Sequence, residues 1–318
     1  MPLFDLPLER LWEYLPDRDE PADFDAFWAR TMTEARAHPL DPVLVRQDGP
    51  FALVDVFAVE FAGFGGHRIG GWFLRPRGHA GPLPCVVRYL GYTVGRGRPH
   101  EWLALPACGL ATLVMDTRGQ GGDTPDPVGG TGGEVPGFLT RGLGGPDTYY
   151  YRRVYTDAVR AVEAARALPG VDPDRVAVLA GSQGAGVGLA VAGLASPLVR
   201  AAVLDVPSLT AFRRATEISA AGSRAEITAY LRAHRGQIAD VFTTLSYFDG
   251  LNFAARATVP AWFSAALMDQ VCPPSTVFAA HNHYAGEKHL RVWPYNGHEG
   301  GGAEQAAEHL ELLVSLLT

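Results

Sequence analysis

The stretch 176-VAVLAGSQGAGVGLAV-191 decides how this chain is read. It opens on an apolar run, Val176 to Ala180, with the length and β-branched content of a buried strand, and continues in a helix-like pattern. One hydroxyl, Ser182, stands at the junction. A serine hydroxyl is a poor nucleophile until an adjacent base takes its proton. A sharp strand-to-helix turn projects Oγ from the sheet edge and aims the following backbone N–H at a developing oxyanion. Such a turn tolerates only small residues two before and two after the serine. Those positions hold Ala180 and Gly184. The competing role for Ser182 is to cap a helix at a close strand–helix packing site.

Outward from this turn, short apolar runs alternate with helix-like segments: PCVVRYL, LATLVMD, RVAVLAG, VRAAVLD and PAWFSAALMD. Strands that are apolar on both faces suit the interior of a parallel sheet covered by helices on each side. Such sheets place ligands at the carboxyl ends of their strands, where Asp116, Ser182, Asp205 and Asp269 all fall. Ahead of them, Ala52–Phe61 and His67–Pro76 read as two strands joined by a glycine turn. The charged stretch Asp17–Arg36, with Phe24, Phe27, Trp28 and Met32 at helical spacing, reads as an amphipathic helix after a loose N-terminal arm. No linker composition divides the chain, so residues 1–318 are read as one domain with an N-terminal arm and helix (1–40). Two insertions are expected: a Gly/Pro-rich loop (117–146) and a helical segment (209–248) placed to cover the site.

In a serine hydrolase of this layout the acid follows the nucleophile and the histidine comes last. Asp269 lies directly after a buried strand, and His298 lies in a loop after the next one. Each has a bland alternative: Asp269 as a helix cap, His298 as a solvated loop residue. All three in the right order at strand ends point to a triad. His298 takes the Ser182 proton and returns it to the leaving alkoxide, while Asp269 holds the tautomer and stabilises the imidazolium. The Gln183 N–H is one expected oxyanion donor. The Tyr92 N–H, in the loop after PCVVRYL, is the other.

Composition bounds the partners. The chain has 318 residues, 47% hydrophobic and 19% charged, with net charge −7. No Lys/Arg-rich run is present, which argues against nucleic acid. No apolar stretch approaches the roughly 20 residues that span a bilayer, and the N-terminus lacks a secretory pattern. Three widely spaced cysteines, Cys85, Cys108 and Cys272, fit free thiols in a reducing compartment. Cytoplasm is the expected location.

Three motifs, RGQGGDTPD (Arg118–Asp126), GSQG (Gly181–Gly184) and HE (His298-Glu299), resemble the signatures of carbohydrate esterase family 7. These are the acetylxylan esterases and cephalosporin-C deacetylases of the α/β-hydrolase superfamily. The likeness continues through DLPLERLWEY, GRGRPHEW, TYYYRRVYTDAVRAVEA, TLSYFDGLNFAARA, CPPSTVFAA and YNGHEGGG. It implies an α/β-hydrolase fold with an N-terminal extension and a helical insertion. It also implies a cofactor-free serine esterase acting on short acetylated sugars and cephalosporin acetates. Ser182, Asp269 and His298 would be its triad, and Tyr92 and Gln183 its oxyanion donors. Family members form hexamers whose sites face an internal cavity, so a homohexamer is expected, taking small acetylated substrates rather than polymer. Arg118 and Gln120, from the second signature, are expected to brace the loops around the site. Gly91, Asp205, Pro207 and Cys272 complete the expected support and substrate-binding set. Asp205 either supports the site electrostatically or caps the next helix, and Cys272 either lines the acyl pocket or simply packs. Two departures stand out: Leu90 replaces the histidine before Gly-Tyr, and Ala180 replaces the first glycine of the elbow.

Other features argue for less. His281 and His283 are two apart on a helix-like segment, which points their side chains apart, and HEGGG lacks the second histidine of a zinc-protease helix. No metal is expected. Tyr149, Tyr150, Tyr151 and Trp102 either stack on sugars or belong to the core or a subunit contact. The rival readings are a peptidase or dienelactone-type hydrolase with the same triad, and a non-catalytic binding protein on this scaffold.

Overall fold

The apolar runs become strands of one nine-stranded sheet in a computed structural model that describes residues 3–79, 81–129 and 136–318. In chain order the strands are β1 (Val43–Gln47), β2 (Val54–Ala62), β3 (Arg68–Pro76), β4 (Leu83–Tyr89) and β5 (Ala111–Met115). β6 (Val171–Gly181), β7 (Ala201–Asp205), β8 (Ala261–Ala266) and β9 (Lys288–Trp293) follow. They lie side by side as β1-β2-β3-β5-β4-β6-β7-β8-β9. β1, β2 and β3 pair antiparallel and β3 meets β5 antiparallel. From β5 to β9 every neighbour is parallel, as expected of strands buried on both faces.

The N-terminal segment carries α1 (Leu8–Trp12) and α2 (Phe24–Arg36). α3 (Ala104–Ala107) follows β4, and α4 (Tyr150–Ala167) and α5 (Gln183–Ala195) flank β6. Between β7 and β8 lie α6 (Phe212–Ile218), α7 (Arg224–Ala233), α8 (Ile238–Ser246) and α9 (Gly250–Ala254). α10 (Pro274–His283) precedes β9 and α11 (Gly302–Leu317) follows it. Alternation along the strands sorts the two layers. Cys85, Val87, Val178, Ala180, Ala202 and Leu204 pack in the cluster that holds α2, α4 and α5. Val86, Ala177, Leu179, Ala201 and Val203 pack against Leu105 of α3 and Leu313 and Leu317 of α11. Helix α5 is apolar on every side and almost wholly buried, as a helix sunk in a core should be.

Chain order reverses direction around β4: β5 lies on one side of it and β6 on the other. Loops leaving β4 and β6 therefore diverge, and the crevice between them is where such sheets bind ligands. Tyr92 follows β4 and Ser182 follows β6.

Several boundaries differ from the sequence reading. β1 gives little sequence signal because it is an edge strand with Val43 and Val45 exposed. The helix expected over Asp17–Arg36 starts only at Phe24. The arm before it is docked rather than loose. Asp5 accepts from the Ser275 amide at 2.7 Å and pairs with Arg214 at 3.0 Å, and Leu11 is buried. Asn282 on α10 donates to the carbonyls of Leu11, Trp12 and Tyr14. In the 117–146 segment, residues 130–135 lie outside the described residues. The rest holds short 3-10 turns at Pro127–Gly129 and Phe138–Thr140. All three cysteines are free.

Candidate active site

Ser182 sits between the end of β6 and the start of α5 with φ 57° and ψ −124°, a left-handed backbone that non-glycine residues adopt at a cost of about 1–3 kcal/mol. Backbone bonds to the segment after β7 hold it there. Its N–H donates to the Asp205 carbonyl at 2.9 Å, and its carbonyl accepts from Ser208 N at 3.0 Å. The turn is possible because α5 approaches β4 very closely. A Cβ on Gly184 would lie 2.6 Å from the Tyr89 carbonyl carbon and 3.0 Å from Leu90 N. Ala180, the residue in place of the usual glycine, is buried among the apolar side chains under α5. Its methyl group fills space that the fold already provides.

The expected partners converge on this hydroxyl. His298 Nε2 lies 2.9 Å from Ser182 Oγ, and His298 Nδ1 lies 2.8 Å from Asp269 Oδ2. A carboxylate only accepts, so Nδ1 carries the proton and Nε2 offers its lone pair to the serine O–H. Asp269 is fully buried. Its other oxygen accepts from Val271 N at 2.7 Å and Cys272 N at 2.9 Å. These bonds fix the carboxylate's orientation, and the residue at the N-cap position of α10 is Pro273, not Asp269. Burial disfavours the His298 imidazolium, but the Asp269 carboxylate and the Cys272 sulfur outweigh it and hold the imidazole pKa above its ordinary value.

The two backbone amides expected to face an oxyanion, Tyr92 N and Gln183 N, have no acceptor among the described residues. The neighbouring amides are occupied: Thr93 N donates to Gln120 Oε1 at 2.9 Å, and Val94 N to the Gly91 carbonyl at 3.2 Å. Gln120 links the two sides of this opening. It makes a reciprocal amide pair with Gln183, both bonds 3.0 Å, and a third bond to the Tyr150 hydroxyl at 3.0 Å. Gln183 also accepts from the Tyr151 hydroxyl at 2.7 Å and donates to the Gly91 carbonyl at 3.3 Å.

Arg118 does not reach the reacting atoms. It is buried, with a bidentate pair to Asp157 at 2.6 and 2.7 Å and a contact to Asp126 at 3.4 Å, a brace for the loop after β5. Asp116 serves the same loop by accepting from Thr124 N at 2.9 Å. The Asp205 side chain points to the α11 side of the sheet, where it meets Ser264, Gln305 and His309. Pro207 is buried, its carbonyl accepting from Thr210 at 3.4 Å. Leu90 is also buried, so its side chain is withdrawn from the surface an alcohol would approach. Tyr149, Tyr150 and Tyr151 are core residues with bonded hydroxyls. His283 contacts the Pro16 carbonyl and His281 the Asn282 amide.

Three further contacts had no readable sequence signal. Glu226 of α7 accepts from the Tyr92 hydroxyl at 2.6 Å and from Leu139 N at 3.1 Å, fastening the helical insertion across the site. Gln305 of α11 accepts from Gly301 N at 2.8 Å and so pins the loop carrying His298. Arg224 of α7 places its guanidinium 3.9 Å from Cys272 Sγ. Donor atoms of Asp269, Cys272 and His298 lie within 4.8 Å of one another, a spacing that could suit a cation. Asp269 and His298 are already bonded to each other, however, and the nearby guanidinium opposes a second positive charge.

This chain matches the family described as acetyl xylan esterase (AXE1) over residues 1–316, which decides its kinship. The chain belongs to the acetyl xylan esterase family. Within it, the chain is similar to a solved acetyl xylan esterase from Paenibacillus sp. R4. The identity is 38% over 98% of this chain and 100% of that one, with a TM-score of 0.92. It is also similar to acetyl xylan esterase 1 from Thermoanaerobacterium sp. JW/SL YS485, at 34% identity, 99% and 100% coverage and a TM-score of 0.91. Acetyl esterase Axe7A of Xylanibacter ruminicola is 29% identical over 89% of this chain, which spans 64% of that relative's length. An acylaminoacyl peptidase from Pyrococcus horikoshii shares the α/β-hydrolase fold at 14% identity, covering 88% of this chain and 42% of its own, with a TM-score of 0.58. Membership makes this chain a carboxylic ester hydrolase.

Proposed function

We propose that this protein is a serine esterase that removes acetyl groups from short acetylated carbohydrates. The observation that carries the reading is the continuous Ser182–His298–Asp269 hydrogen-bond chain, 2.9 and 2.8 Å, at the tip of a strained turn. Ser182 Oγ attacks the acetyl carbonyl carbon while its proton passes to His298 Nε2. The carbonyl oxygen becomes an oxyanion facing the free amides of Tyr92 and Gln183. As the tetrahedral species collapses, the sugar–oxygen bond to the acyl carbon breaks and the alkoxide takes the proton from Nε2. Water then repeats the cycle on the acetyl-serine, releasing acetate and restoring the hydroxyl. Asp269 keeps the imidazole in the required tautomer throughout.

Cephalosporin C presents the same acetate on a primary alcohol, and the same machinery would act on it. Hydrogen peroxide in place of water would yield peracetic acid, since nothing in the triad selects the second acyl acceptor. The reading includes a homohexamer, supported by the family resemblance, and a cytoplasmic location, supported by the three unpaired cysteines. No helix of the described residues is long and apolar enough to cross a membrane. The test is Ser182→Ala with p-nitrophenyl acetate and acetylated xylo-oligosaccharides. Turnover is expected to fall by about 10⁶-fold; wild-type turnover would overturn the assignment.

A further inference from the structure

Behind the elbow, on the face of the sheet away from α5, a cavity of about 330 Å³ opens between the strand ends and α11. Its walls include Arg88 of β4, Thr112 of β5, Leu179 and Gly181 of β6, and Asp205 of β7. The size is that of a small-molecule site. Its polar groups are arranged in an unusual way. The Arg88 side chain takes part in none of the ion pairs or hydrogen bonds among the described residues, and its Nε is buried without a partner. Its guanidinium lies 5.5 Å from the Trp102 ring centroid, and Trp102 closes one wall. Thr112 is fully buried and its hydroxyl also lacks a partner. Across the floor, the Asp205 side chain meets Ser264 at 3.0 Å, His309 at 3.4 Å and Gln305 through Oδ1. Among the described residues, Oδ2 accepts no hydrogen bond.

A cation and a carboxylate thus face one cavity without closing on each other, beside an orphaned hydroxyl. Unmade hydrogen bonds of this kind are costly. A ligand that completes them needs acceptors toward Arg88 and donors toward Asp205. An anion would meet Asp205 together with Glu101 and Glu299 at the rim, and a cation would meet Arg88. A neutral polyol supplies both kinds of group at once. We propose that this cavity is a second carbohydrate site, distinct from the triad, which takes one neutral pyranose ring. Gly181 in its floor immediately precedes Ser182, and Glu299 at its rim immediately follows His298, so an occupied site touches both catalytic loops from behind.

The test uses D-xylose as probe on the full-length Ser182→Ala protein and on wild type blocked with a serine-reactive phosphonate, read by saturation-transfer NMR and calorimetry. Saturable binding with a Kd on the order of millimolar is expected in both. It should be lost in Arg88→Met and in Ala306→Trp, which plugs the cavity mouth from the exposed side of α11. Both variants should hydrolyse p-nitrophenyl acetate within about threefold of wild type. The Ala306 variant keeps the test open if Arg88→Met does not fold. Binding abolished by the phosphonate would place the sugar at the triad and overturn the proposal. So would binding unaffected by Ala306→Trp, or Arg88-dependent binding of xylonate without any of xylose. Because binding is read without turnover, this test stands whether or not the esterase assignment does.

Discussion

The elbow can be tested by adding single methyl groups on either side of the nucleophile. In Gly184→Ala the new Cβ would sit 2.6 Å from the Tyr89 carbonyl carbon, where an unstrained carbon–carbon contact is about 3.5–4.0 Å. Helix α5 and strand β4 must therefore separate by roughly 1 Å. That displacement falls between the two amides expected to bind the oxyanion, since Tyr92 follows β4 and Gln183 begins α5. A misplacement of about 1 Å costs on the order of 10² in turnover, and overpacking costs about 1–3 kcal/mol of stability. Gly181→Ala is the control. Its Cβ would meet nothing nearer than the Asp205 Cβ at 3.9 Å, an ordinary contact. We expect kcat on p-nitrophenyl acetate to fall about 100-fold in Gly184→Ala with Tm lowered by several degrees. In Gly181→Ala, kcat should stay within about threefold of wild type. Equal effects from the two variants, or wild-type kcat and Tm in Gly184→Ala, would refute the claim that close helix–strand approach is what the small residues serve.

His298 supplies a pH prediction. Its pKa is raised in the folded protein, chiefly by Asp269 acting against burial, so the neutral base appears only at higher pH. The rising limb of kcat/KM should therefore have its midpoint above the ordinary histidine value of about 6.5. The same shift favours the folded state below the unfolded pKa, and that contribution disappears as pH rises through the folded one. In Asp269→Asn the limb should move to lower pH while kcat falls about 10³–10⁴-fold; an unmoved limb would show that the carboxylate does not set the imidazole. Gln120 is a positioning residue, and Gln120→Leu should cut kcat about 10–100-fold with KM held within about threefold, while phosphonate labelling of Ser182 persists. A loss confined to Tm and KM would make it merely structural.

Much of this site was present in the chain order. Ser182, Asp269 and His298 follow strand-like runs in the sequence a hydrolase sheet requires, and local pattern is enough to find strand ends because buried parallel strands are continuously apolar. Gly184 was legible for the same reason: a strand-to-helix turn leaves its mark within a few residues. What could not be read is whatever depends on two distant segments touching. Glu226 reaches Tyr92 across 134 residues, and Gln305 reaches the Asp205 side chain across 100. Neither carries a local pattern that marks it out from a surface carboxylate or amide. Asp205 shows the limit most clearly. Its place at a strand end was correct, but strand pleat turned its side chain to the α11 face, away from the serine. The sequence determined which residues stand at the rim of the sheet. Only the packing of helices on the two faces decided which of them meet, because hydrogen-bond partners are chosen by distance in space and the chain records only distance along itself.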